Sequence, residues 1–478
     1  TREVGLKKLF GSGRSSLIAQ FIVESAILCT ISMRLAIILI SSLYHWFQSS
    51  MGLNLPSLTG LPVVLYIIPL ALMLIVSLAG GLYPALYLSS LKPGKLLVTS
   101  LKSGGKGVMI RRILMLTQFI ISIFLTIQSI AIFRQYMYMK NTDPGLDIDR
   151  IIQFEIPAYL AERSDAIKQA LTANPYIEAV SFSGQPLGSV RNTNTFRSPR
   201  NDASIPFKVQ LIDPEHKEVL GLEMVSGDSF DRELQGDRNL SVVKNDTGAR
   251  AMGFEPPDSI TGFLWTVDGA DFTIIGVLKD YHYNSLEVPL QPSLLVWREG
   301  NMKASLRYSP DRISETITHI VNVWKSFEPD KPLNYSFLDE TYSRHYEGEQ
   351  KLFRLISVFT IIALIIACFG VYGISAFMAR RLAKSISLRK VMGAETISVV
   401  EHFSMEYLWL IIIATIISVP LGYIYITHWL ERFPYKTSIS AWIFIAAFLL
   451  NMAVVIATKT YHAYKTARLN PAEVLRHE

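Results

Sequence analysis

The residues whose types could do chemistry are few and scattered. His282, in Asp280-Tyr281-His282-Tyr283, is the most tempting. A lone His beside tyrosines reads as a packed loop residue rather than a ligand, because a site needs further groups converging on it. No H-E-x-x-H or G-x-S-x-G occurs, and no cysteine is placed to act as a nucleophile. Cys29 and Cys368 each lie inside an apolar block and read as small buried hydrophobes. Asn245-Asp246-Thr247 matches a glycosylation acceptor by chance. A phosphate-cradling G-x-x-x-x-G-K-[ST] is absent: Gly11–Ser16 and Gly104–Gly107 bear glycine without the Lys-Ser/Thr. Catalytic, metal and cofactor-binding residues are therefore not expected. What remains are ionisable groups in apolar surroundings, Glu24, Arg34 and Glu406. Such groups are costly unless paired or near water.

Those surroundings are membrane spans. Half of the 478 residues are hydrophobic and 18% are charged, against roughly 25% charged in soluble domains. Leu35–Leu91, Ile113–Phe133, Leu355–Ala379, Tyr407–Leu430 and Thr437–Thr458 contain no Asp, Glu, Lys or Arg. A span needs about 20 apolar residues, so the last four windows hold one helix each. The first is too long for one and breaks at the polar stretch Gln48–Gly60. Six transmembrane helices are predicted near 17–46, 62–88, 113–134, 353–379, 398–428 and 440–460. A net charge of +6 is compatible with nucleic-acid binding. The basic residues instead flank the apolar blocks, so no nucleic-acid partner is expected.

Lys and Arg gather in alternate short loops, at 2–14, 92–112, 380–390 and 459–476, whereas Phe47–Leu61 has none. This bias places both termini in the cytoplasm and Lys140–Gln350 outside, as expected of a multi-pass inner-membrane protein. Residues 141–350 have soluble composition. Strands are predicted at Ile151–Ile156, Ile177–Ser183, Phe207–Ile212, Phe272–Leu278, Ser293–Trp297, Ala304–Tyr308 and Asn334–Phe337, and helices at Ala161–Ala173, Glu215–Leu220 and Arg312–Phe327. The order β-α-β at each end implies an α+β domain, a ferredoxin-like split βαβ with a strand-rich insert. Its ends, Arg134–Lys140 and Asp339–Lys351, read as a two-helix stalk.

An internal repeat organises the rest. Residues 2–24 and 384–406 align without a gap, matching Leu6/Leu388, Lys7/Arg389, Lys8/Lys390, Gly11/Gly393, Ser16/Ser398, Phe21/Phe403 and Glu24/Glu406. Each copy precedes two spans, so two related halves are expected. Each copy opens as a short basic amphipathic helix closed by Gly11 or Gly393. Two roles stay open for it: lying in the headgroup layer, or docking as a peg into a cytoplasmic partner. Glu24 and Glu406 likewise read either as interfacial carboxylates or as groups fixing that helix to the bundle.

The repeated segment, with Arg111–Lys140 and Ser336–Glu349, resembles the MacB/FtsX-type ABC transporter permeases over almost the whole chain. The first copy keeps the family's acid-hydrophobe-Gly as Glu3-Val4-Gly5, while the second departs from it as Ser385-Ile386-Ser387. The resemblance implies an N-terminally truncated double-unit permease: 1–110, the end of a first unit; 111–140, span and stalk; 141–350, a MacB-like periplasmic domain; 351–478, three spans with a coupling helix. It implies ATPase coupling through Leu6, Lys7, Lys8, Gly11, Leu388, Arg389, Lys390 and Gly393. ATP and Mg would be bound by a partner ATPase, not by this chain. It further implies movement of the periplasmic domain for export or for lipoprotein or peptide handling. A second permease chain, membrane lipid and a periplasmic adaptor or outer-membrane protein would be further partners. The alternative is a membrane-bound sensor or scaffold that regulates cell-envelope enzymes without transport.

Overall fold

Apolar runs of spanning length become helices, because a segment surrounded by lipid must satisfy its own backbone. The computed structural model describes residues 10, 13–52, 56–57, 60–90, 105–186, 192–231, 241–267, 270–391 and 396–467. Its helices are α1 (Arg14–Met51), α2 (Val64–Ser90), α3 (Gly105–Asn141), α4 (Ser164–Thr172), α5 (His216–Leu220), α6 (Asp246–Ala251), α7 (Ile313–Phe327), α8 (Leu338–His345), α9 (Glu347–Val391), α10 (Thr396–Leu430) and α11 (Ala441–Ala467). Among the described residues six helices, α1–α3 and α9–α11, are long and apolar enough to cross a membrane. The predicted break after Gln48 is a left-handed cap: Gly52 has φ 59° and its N–H donates to Gln48 O. One expectation changes. The basic segment at 384–391 is not a separate short helix, because α9 runs 45 residues without interruption. Nothing between 374 and 391 is a proline or glycine that would end it.

The chain divides into two compact units. The first comprises 1–126, 354–419 and 446–478. In it α1 and α2 cross at small residues: a Cβ at Gly81 would lie 3.0 Å from Ile22 Cα, and one at Gly80 would lie 3.2 Å from Ser25 Oγ. Such close approach is how helices associate where lipid removes the hydrophobic drive. Polar side chains hold α3. Ser122 Oγ donates to Asn451 Oδ1 at 2.7 Å, and Asn451 Nδ2 donates to Thr126 Oγ1 at 3.2 Å. Ser418 Oγ donates to Ile120 O, and Thr360 Oγ1 donates to Leu125 O. Thus α9, α10 and α11 all bond to the same helix.

The second unit comprises 127–353 and 420–445, and it holds the outer domain. Its strands are β1 (Ile151–Glu155), β2 (Ile177–Ser183), β3 (Thr193–Arg197), β4 (Ser204–Ile212), β5 (Met224–Gly227), β6 (Ser241–Asn245), β7 (Leu264–Val267), β8 (Ala270–Leu278), β9 (Ser293–Trp297), β10 (Lys303–Tyr308) and β11 (Tyr335–Phe337). One end of the sheet runs β11-β1-β10-β2, all antiparallel, with α4 joining β1 to β2 and α7 joining β10 to β11. That is the ferredoxin-like split βαβ order. The strands β3–β9 form the insert, which pairs with β2 through the single register Ser183↔Ile212. Ile152, Phe154, Leu306, Ile320 and Trp324 form the ferredoxin-like core. Phe207, Met252, Phe254, Trp265 and Ile274 form that of the insert. A further cluster joins Leu278, Tyr281 and Tyr283 to Leu338 and Tyr342 of α8. Ser309 precedes the turn that opens α7, and its side chain makes no capping bond.

Candidate functional site

Within the second unit, the outer ends of the spanning helices meet the outer domain at one loop. Gln135 of α3 is fully buried. Its Nε2 donates to Tyr435 O at 2.8 Å and its Oε1 accepts from Thr437 N–H at 2.9 Å. Beside it, Arg134 donates to Ser438 O and stacks 5.4 Å over the Trp442 ring. The α10–α11 connection is thereby fixed to α3, and Tyr435 stands out from it.

Tyr435 faces the segment 280–292 that links β8 to β9. Its hydroxyl accepts from Leu290 N–H at 3.3 Å, and its ring meets the His282 ring edge-on at 4.9 Å. Two more tyrosines hold the same segment. Tyr342 OH donates to His282 O at 2.7 Å, and the hydroxyl of Tyr346, the turn residue between α8 and α9, accepts from Leu286 N–H at 3.1 Å. Burial pushes the phenols of Tyr281, Tyr283 and Tyr342 up, so all three stay protonated and able to donate. The segment's first residue is fixed from the domain side. Asp280 accepts from Asn245 Nδ2 at 2.7 Å and from the Thr247 N–H and hydroxyl at 3.0 and 2.6 Å. Asn245 also caps α6 by accepting from Gly248 N–H, which gives the Asn-Asp-Thr run a structural task.

His282 is therefore a packed loop residue. Burial lowers its pKa against the opposing effect of Asp280, so its ring is neutral when it packs on Tyr435. Among the described residues no group of three or more His, Cys, Asp or Glu is placed to hold a metal ion. Of the residues singled out by sequence, Glu24 and Arg34 lie on α1 and are exposed. Glu406 lies on α10, and Leu388, Arg389 and Lys390 lie on the last turns of α9, with side chains outside the described part. Leu6, Lys7, Lys8, Gly11 and Gly393 fall outside the described residues. The tyrosine contacts escaped sequence reading because their partners lie 60 and 145 positions away. The available signal was the placement of Tyr342, Tyr346 and Tyr435 beside span ends, where amphipathic rings collect.

The model of the FtsX-like permease C-terminal family matches residues 1–93 and 357–471, the two segments that carry the internal repeat. The macrolide export ATP-binding/permease protein MacB of Acinetobacter baylyi is 22% identical over 330 residues, covering 66% of this chain and 48% of that protein. The MacB of Bdellovibrio bacteriovorus is 26% identical over 290 residues, covering 57% of this chain and 44% of its own. The chain thus spans about half the length of the curated relatives it matches. Among solved structures, the periplasmic region of MacB from Actinobacillus actinomycetemcomitans covers 41% of this chain and 92% of its own, at 15% identity and a TM-score of 0.31. The extracellular domain of the transporter YknZ from Gram-positive bacteria covers 39% and 97%, at 13% identity and a TM-score of 0.28.

Proposed function

This chain belongs to the MacB/FtsX-type ABC transporter permeases, and from that premise we propose that it passes force from a separate ATPase to its outer domain. The observation that carries the proposal is α9. One uninterrupted helix holds the second coupling segment at its end and adjoins Tyr346 at its start. A push on Leu388 travels along hydrogen-bonded helix to the segment 280–292, while α3 and Tyr435 deliver a second contact to that segment. Binding of ATP and Mg is assigned to the partner subunit, and the setting to the inner membrane with the outer domain in the periplasm. The relatives named for macrolide export suggest an amphipathic cargo moved by the outer domain, and the same motion would serve lipoprotein or peptide handling.

The test is pull-down of the ATPase by Leu388→Ala and Lys390→Glu chains at low and high salt. A docked peg buries its apolar knob, so Leu388→Ala should weaken the complex by about 1–3 kcal/mol. Lys390→Glu should act less and fade as salt screens it. Normal binding of Leu388→Ala with a dominant charge effect points instead to a helix resting on lipid, and the coupling reading then fails.

A further inference from the structure

We propose that Tyr435 is a releasable foot of the outer domain, with Gln135 as the positioning residue that keeps it in place. Segment 280–292 is gripped from two sides, and the two grips differ in strength. On the stalk side, His282 N–H donates to Pro144 O at 2.7 Å, Tyr342 OH donates to His282 O at 2.7 Å, and Leu286 N–H donates to Tyr346 OH at 3.1 Å. Gly145, at φ 78°, lets the backbone close on the segment, since a Cβ there would lie 2.9 Å from Asp280 O. Leu286, Tyr342 and Tyr346 are all buried, so water competes little for these bonds.

Toward the α10–α11 connection the segment has less to hold it. Among the described residues, its hydrogen bonds and ring contacts to 431–440 are two. Leu290 N–H donates to Tyr435 OH at 3.3 Å, and the His282 and Tyr435 rings meet edge-on at 4.9 Å. Leu290 and Tyr435 are each half-buried. A long bond within reach of water contributes least and opens first.

When the contact opens, Tyr435 stays with the membrane helices. Gln135 of α3 is fully buried and bonds Tyr435 O and Thr437 N–H at 2.8 and 2.9 Å. The backbone of the foot is thus fixed to α3, which ends at Asn141, before the Pro144 carbonyl that holds His282. Bending of the chain between Asn141 and Pro144 carries segment 280–292 off Tyr435 and leaves its three stalk-side bonds made. Force arriving along α9, for whose source this rests on the coupling reading above, reaches the segment through Tyr346. Tyr435 is held by α3 instead, so a shift between the two is taken up where the grip is weakest.

Amide hydrogen exchange of the full chain in lipid nanodiscs tests the foot without any ATPase. Corrected for intrinsic rates, Leu290 should exchange about tenfold or more faster than Leu286. Tyr435→Phe keeps the ring and removes the accepting hydroxyl, so it should expose Leu290 further and leave Leu286 as it was. Gln135→Ala should do the same with the Tyr435 side chain intact, which marks Gln135 as the residue that positions it. Unchanged β6 and β8 amides show that a variant has folded, and Tyr435→Phe decides alone if Gln135→Ala has not. Equal exchange at the two leucines, or a rise at Leu286 as large as that at Leu290, overturns the foot. Adding the partner ATPase with ATP should expose Leu290 about tenfold more and spare Leu286. ATP turnover with Leu290 unchanged also overturns it. Failure of the coupling reading shows elsewhere, as normal ATPase binding by Leu388→Ala, and the comparison of the two leucines in the chain alone still decides the foot.

Discussion

Lys244 is an ionisable residue buried in the core of the outer domain. It sits in β6 with no exposed surface, its Nζ donating to Met252 Sδ and lying 3.5 Å over the Trp265 ring. Burial drives its pKa down to about 6. Between that value and its ordinary 10.5 the unfolded chain binds the extra proton, so stability is lost as pH falls through this window. Lys244→Met keeps the length and removes the titration. It should raise stability by about 2–4 kcal/mol around pH 7 and flatten the slope on the alkaline side, measured by denaturant unfolding of the detergent-solubilised chain. An unchanged slope means that Lys244 does not titrate as its burial requires. The same residue explains a miss in reading the sequence. Ser241–Asn245 is buried at every position, yet a lysine in its middle breaks the apolar pattern by which a buried strand is recognised.

At the scale of elements, the ends of the outer domain were legible and its middle less so. β1, β2, β10 and β11 show alternation or apolar runs bounded by turns, and the βαβ order followed from them. The strand β3 is nearly all exposed, and β5 and β7 have four residues each, too little pattern to separate from loop. In the membrane, length and charge located the helices, whereas packing rests on glycines and hydroxyls that carry no hydropathy signal. Gly81→Leu should therefore destabilise the α1–α2 pair by about 1–3 kcal/mol, because its Cβ meets backbone. Gly373→Leu, with nothing within 4 Å of its Cβ, should be near neutral. Thermal melts in detergent distinguish them, and equal melting temperatures would remove the close crossing. Asn451→Ala should cost about 1 kcal/mol by leaving Ser122 and Thr126 without their shared partner.

For the molecule as a whole, the alternation of basic loops makes a directional prediction. In intact cells a membrane-impermeant thiol reagent should label Asp202→Cys and miss Ser103→Cys, with Cys29 and Cys368 replaced by serine. Labelling of the second site reverses the orientation. The contacts that Gln135, Tyr342, Tyr346 and Tyr435 make could not be foreseen at this scale, because these residues converge only once the chain has crossed and returned. The unbroken α9 has a last consequence, for how such chains change length. Each residue of a helix turns the chain by about 100°, so one inserted residue would swing the segment 384–391 about a quarter-turn away from its phase with the first turn of α9. Seven inserted residues would restore that phase within about 20° while adding about 10 Å. Between Gly373 and Lys384, insertions in steps of seven should preserve function far better than steps of one or two. On the coupling proposed above, a scan of inserted alanines, scored by the activity of the partner ATPase, should rise and fall with the helical period.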